Sequence, residues 1–161
     1  MSSRDGGTEL SSGERWLGRW MVGVAVFYLL SFANFVWLRL DPTLLETLYP
    51  TYDAPITSVA AQATIDSLLM FGVEIAVVAV VLLWASRNPL EHRILFWLVI
   101  ALEVVRGILV DLYLIFLREY PIDEVYYGFI VLHSVIIVTG YLAYRKAMKT
   151  NERTGTEGRS G

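Results

Sequence analysis

Residues 94–117 read ILFWLVIALEVVRGILVDLYLIFL, and only Glu103, Arg106 and Asp111 in that run carry charge. A helix on the surface of a soluble protein carries a polar face opposite its apolar stripe. This one is apolar on every side. A hydrocarbon layer of about 30 Å takes around 20 helical residues to cross. The run therefore reads as part of a membrane helix over residues 90–117, and residues 16–38, 58–85 and 124–144 read the same way. A membrane β-barrel would need strands of about ten residues with alternating polarity, and no such alternation occurs. The expected fold is all-α, an integral membrane bundle of four transmembrane helices.

Composition agrees. The 161 residues are 55% hydrophobic and 18% charged, against roughly 45–50% and 25% in an average soluble domain. Most charges fall in the tails and connections. Residues 15–146 form the expected membrane domain, between polar tails over 1–14 and 147–161 that read as disordered. The absence of cysteine excludes disulfides, thiolate zinc and iron–sulfur ligation within the chain. Histidine is limited to His92, expected at a membrane surface, and His133, expected well inside. One haem clamped by the two is ruled out on depth.

The connections carry their own signals. Asn88-Pro89-Leu90-Glu91 has the form of an N-cap, a first-turn proline and a capping-box glutamate. It predicts an antiparallel hairpin of the second and third spans. Pro121 breaks the third span and Asp123 is placed to cap the fourth. A short interfacial helix is expected over residues 42–48, with Leu44, Leu45 and Leu48 as its apolar face. All five tryptophans lie near span ends, and Tyr49, Tyr52, Tyr120, Tyr126 and Tyr127 gather at connections, as in the aromatic belts of membrane interfaces. Ser31-Phe32-Ala33 resembles a signal-peptide cleavage site, yet the apolar run continues to Leu38, so the first span is read as retained.

Ten of the thirteen Lys and Arg residues lie in the N-terminal segment, the second connection and the C-terminal tail. The positive-inside rule then puts both termini in the cytoplasm, with the plasma membrane as the expected location. The basic C-terminal tail reads as a topology signal and a contact for anionic lipid. No internal repeat supports an inverted-repeat transporter within one chain.

The charges inside the spans are the functional lead. One at mid-membrane costs roughly 2.5–3.5 kcal/mol on insertion scales, so it faces a partner or a cavity. From helical rise, Asp111, Asp66, His133, Arg106, Glu103 and Glu74 lie about 9, 12, 14, 17, 21 and 24 Å from the outer surface. Glu103, Arg106, Gly107 and Asp111 recur at three- and four-residue steps, which predicts one shared face and a Glu103–Arg106 pair. Gly72 and Gly107 are expected to bring the second and third spans close together, and Asn34 to add an amide. Four carboxylates then face one arginine and one histidine, so protons, a cation or water must offset the charge. Glu74 and Glu103, the deepest pair, are the candidates for holding or sharing protons. By residue type Asp66, Asp111 and His133 could bind a metal, but the HExxH and Glu-x-x-His spacings are absent, and no metal or cofactor is assigned. Nor is any catalytic residue: there is no GxSxG, phosphate-cradling glycine loop or dinucleotide fingerprint. Nothing supports nucleic-acid binding.

Residues 65–74 (IDSLLMFGVE) and 102–113 (LEVVRGILVDLY) resemble the small membrane proteins called BphX-like, which are broadly similar to the DoxX-like group. The likeness covers about residues 16–144, and its matching positions are Asp66, Gly72, Glu74, Glu103, Arg106, Gly107 and Asp111. It implies a four-helix membrane fold and supplies no reaction mechanism.

Three functions fit these features. The first is a transport or permeation component whose polar site, formed by Asp66, Glu74, Glu103, Arg106, Asp111 and His133, handles a small solute, a cation or protons, expected as a homo-oligomer. The second is an accessory subunit or scaffold for a membrane partner protein, with the cluster as interhelical glue. The third is a membrane-embedded enzyme acting on a lipid or quinone. The expected partners are accordingly the lipid bilayer, a small solute or cation, and a second copy or partner protein.

Overall fold

A computed structural model of the chain describes residues 10–48, 54–117 and 124–157, and every regular element among them is helical. The elements are α1 (Ser12–Leu40), α2 (Leu44–Leu48), α3 (Val59–Ala85), α4 (Arg93–Leu102), a π-helical segment (Glu103–Leu109), α5 (Val110–Leu117) and α6 (Glu124–Glu157). Three stretches are long and apolar enough to cross a membrane: Ser12–Leu40, Val59–Ala85 and, within α6, Tyr126–Asn151. Large apolar side chains face outward along all of them, among them Leu30, Met70, Val77, Val80, Val131 and Val138. So wide an apolar exterior marks a surface meant for lipid or protein rather than water.

Helix ends differ from the sequence reading where caps decide them. α1 begins at Ser12 rather than residue 16, because Ser11 and Glu14 close a capping box: Ser11 Oγ accepts from the Glu14 N–H and the Glu14 carboxylate accepts from the Ser11 N–H. α6 continues past residue 144 to Glu157, so part of the compositional tail is helical. The Asn88 cap does not form. The Asn88 N–H closes a turn onto the Ala85 carbonyl, and α4 starts at Arg93, with the His92 ring tilted against Trp84 at a centroid distance of 4.2 Å. α2 matches the expected interfacial helix, and its Leu45 is buried. The predicted break at Pro121, the Asp123 cap, and Tyr49, Tyr52 and Tyr120 lie outside the described residues. Of the tryptophans, Trp16, Trp37, Trp84 and Trp97 are exposed. Trp20 turns inward and donates its indole N–H to the Ile136 carbonyl, 3.1 Å away.

α1 is the hub, packing against both α3 and α6, while the π-helical segment packs on α6. The expected close approach of the second and third spans through their glycines is not what forms. A Cβ on Gly72 would meet Phe35 and Phe32 of α1, and one on Gly107 would meet the His133 ring of α6. Each glycine admits a large ring from a different helix, so the bundle is knitted through α1 and α6 rather than through an α3–α4 hairpin.

The main apolar core lies towards the end that holds the chain termini, with Leu17, Met21, Val24, Ile75, Leu82, Phe96 and Val99 at its centre. A smaller cluster of Leu38, Leu45, Ala61 and Ile65 sits at the opposite, distal end. The helix hydroxyls of Ser31, Thr64, Ser67 and Thr139 bond to carbonyls on their own helices, which satisfies them without water.

Candidate functional site

Glu103 is the one buried charged side chain among the described residues, with 2% of its surface exposed. Its two carboxylate oxygens bridge two other helices. The Tyr28 hydroxyl of α1 donates to Oε1, and His133 Nδ1 of α6 lies 2.5 Å from Oε2. Phe27 and Phe129 flank the imidazole, with ring centroids at 6.5 and 6.4 Å. Gly107, four residues after Glu103, makes room for that ring, because a Cβ there would fall 2.3–2.6 Å from the His133 ring atoms.

A second group lies to the side. Arg106 forms a 3.0 Å ion pair with Glu74 of α3, and its guanidinium carbon sits 4.6 Å from the centre of the Phe71 ring. This pair is open to the surroundings, with Arg106 45% and Glu74 62% exposed. Nearer the distal end, Arg39 Nε pairs with Asp66 at 3.1 Å, both half-exposed. Asp111 lies in the first turn of α5. Its Oδ2 is shielded from solvent and has no hydrogen-bond partner among the described residues.

The backbone explains why Glu103 and Arg106 part company. From Glu103 to Leu109 the helix is π-wound, as the Val110 N–H bonding back to the Val105 carbonyl shows. An i→i+5 bond puts more residues into each turn than the α-helix does. The three-residue step from 103 to 106 therefore falls well short of a full turn. Glu103 and Gly107 face inward, while Arg106 is swung outward onto α3.

A family model for BphX-like proteins matches residues 15–150. The chain belongs to the BphX-like family. No curated protein and no solved structure matches it.

In this BphX-like protein the six sequence-predicted site residues do not converge on one point. Asp66 pairs with Arg39, Glu74 with Arg106, and Glu103 with His133. The expected pairing of Glu103 with Arg106 is corrected: Glu103 bonds Tyr28 and His133, and Arg106 turns to Glu74. Glu74 and Glu103 have separate partners, which argues against a directly shared proton. Asp66, Asp111 and His133 do not gather into a three-ligand set among the described residues. Asn34 is exposed and makes no side-chain hydrogen bond among them.

Sequence reasoning passed over Tyr28, Phe71 and Arg39. Tyr28 had a signal: it is the sole tyrosine of the first apolar run, far from either interface. A buried tyrosine hydroxyl seeks a partner. Arg39 ends the first apolar run, and nothing in the sequence names Asp66 as its partner. For Phe71 no signal in the sequence separates it from its apolar neighbours.

The Glu74–Arg106 pair gives a direct test. A double-mutant cycle with Glu74→Gln and Arg106→Gln in lipid is expected to return a coupling of about 1 kcal/mol, within the range of interhelical polar contacts in membranes. A coupling of zero would mean that the pair does not form in the bilayer.

Proposed function

We propose that this BphX-like protein is a four-span plasma-membrane protein that acts as a transport or permeation component, with protons as the species handled. Residues 93–117 supply the remaining span. α4, the π-helical segment and α5 follow one another without a break, for a length of roughly 35 Å. The distribution of Lys and Arg favours both termini in the cytoplasm.

One observation carries the reading: a buried glutamate deep in an apolar bundle, hydrogen-bonded on one side to a tyrosine and on the other to a histidine. All three side chains are ionisable, and together they span α1, the π-helical segment and α6. Asp111 of α5, whose Oδ2 has no hydrogen-bond partner among the described residues, adds a further ionisable group on the same span. Within the set of a small solute, a cation or protons, this geometry favours protons. Each Glu103 oxygen already faces a proton-bearing group, Tyr28 on one side and His133 on the other. A π-wound segment at the same place fits a functional site, where such windings are frequent.

The exposed Glu74–Arg106 and Arg39–Asp66 pairs favour assembly. Beside the outward-facing Met70, Val73 and Val77, an ion pair is costly against lipid and is better covered by protein. A homo-oligomer meets that need, as does a membrane partner subunit, which is the scaffold reading.

Proteoliposomes loaded with a pH-sensitive dye test the proton reading. Under a potassium diffusion potential, wild-type vesicles are expected to acidify or alkalinise faster than protein-free ones. Glu103→Gln keeps the shape of the carboxylate, and should return the rate to that of empty vesicles while melting close to wild type. If wild-type vesicles are no leakier to protons than empty ones, the reading is abandoned in favour of interhelical glue.

A further inference from the structure

At the end of the bundle where α1 begins, its first turn and residues 142–150 of α6 enclose an open groove of about 580 Å³. It is lined by Ser12, Leu142, Arg145, Lys146, Lys149 and Thr150. Arg145, Lys146 and Lys149 are exposed, and none of them forms an ion pair among the described residues. The acidic side chain described nearby, Glu14, is turned onto the Ser11 N–H, so no carboxylate among the described residues pairs with the three cations that line the groove. Because that capping box already satisfies the start of α1, the cations rather than the helix end give the groove its character.

The walls are of two kinds. Leu142 is an exposed apolar wall of the groove, and Lys146 Nζ sits 4.9 Å from the centre of the exposed Trp16 ring. Tryptophan beside lysine at a span end places this level at the headgroup layer. A ligand that fits must carry an anionic head with an apolar chain attached.

We propose that this groove is a binding site for an anionic phospholipid, with Arg145, Lys146 and Lys149 on the phosphate and Leu142 along the first methylenes. A dispersed basic tail attracts a charged surface without choosing a place. A groove with three cations above an apolar wall holds one lipid in a defined position. The site stands apart from the Tyr28–Glu103–His133 bridge and does not depend on what that bridge conducts.

Native mass spectrometry of the full chain released from nanodiscs tests it, with phosphatidylcholine alone or mixed with phosphatidylglycerol. The wild type is expected to retain one phosphatidylglycerol in preference to phosphatidylcholine. Arg145→Gln/Lys146→Gln/Lys149→Gln should weaken that retention on the order of a hundredfold, from about 1 kcal/mol for each basic residue near a membrane surface. Arg15→Gln/Arg19→Gln alters two arginines that line a separate groove at the same end, and should leave retention unchanged. Equal loss in that control would reduce the effect to general surface charge and overturn the site. So would equal retention of the two lipids by wild type, a reading that needs no variant to fold. Competition by inorganic phosphate at millimolar concentration, with no lipid retained, would assign the groove to a soluble anion and likewise overturn the lipid assignment.

Discussion

Glu103→Ala is expected to destabilise the bundle by about 3 kcal/mol, because it strands the Tyr28 hydroxyl and the His133 ring nitrogen together. Each buried group left without a partner costs about 1–3 kcal/mol. Some of that loss is offset, since a desolvated carboxyl is removed as well. Glu103→Gln should cost far less. Its carbonyl still accepts from Tyr28, and its amide can donate to His133 when Nδ1 is the bare nitrogen. The two substitutions thus separate fold from function: alanine tests the bridge as a support, and glutamine tests it as a proton carrier. Tyr28→Phe should lose about 1 kcal/mol in the wild-type background and almost nothing on top of Glu103→Ala, as coupled partners do. Denaturant titration in detergent micelles reads all of these. A Glu103→Ala chain as stable as wild type would show that the three-helix bridge contributes nothing to holding α1, α6 and the π-helical segment together.

The second large effect is at Gly107. A methyl group there would overlap the His133 ring, with atoms at 2.3–2.6 Å. The ring cannot swing aside freely, because Glu103 holds its Nδ1 and Phe27 and Phe129 flank it. Overpacking of this kind costs about 1–3 kcal/mol. Alanine's better helix propensity returns up to about 1 kcal/mol. Gly107→Ala should therefore be destabilising by about 2 kcal/mol and should also weaken the Glu103–His133 contact. Gly23 offers the matched control, since a Cβ there meets nothing within 4 Å, and Gly23→Ala should be neutral or slightly stabilising. On a His133→Ala background the penalty at Gly107 should largely vanish, because the clashing ring is gone. Should Gly107→Ala cost no more than Gly23→Ala, the close approach of α6 to the π-helical segment would be refuted.

The helical class and the membrane character of the chain were legible in its residues. Apolar runs of more than twenty positions leave the backbone no means of satisfying its polar groups in lipid except as helices. That constraint acts through composition and length, which a sequence displays directly. The short helix after α1 and the need of Glu103 and His133 for polar partners were legible for similar reasons: leucine spacing in one case, and in the other the cost of placing ionisable groups in an apolar run. Which carboxylate meets which partner was not legible. Regular α-helical spacing put Glu103 and Arg106 on one face, and the π-winding between Glu103 and Leu109 separated them. No residue pattern announces that winding, because it depends on how the helix seats against α6 and its His133 ring. Gly72 and Gly107 were readable as points of close approach, but their partners, Phe35 and Phe32 in one case and His133 in the other, were set by the packing order of the helices. Tyr28 stayed hidden because its neighbours in the chain are apolar and its partner lies two helices further on. A sequence records which groups must be satisfied in a membrane; only the assembled bundle decides by whom, because those partners are neighbours in space and not along the chain.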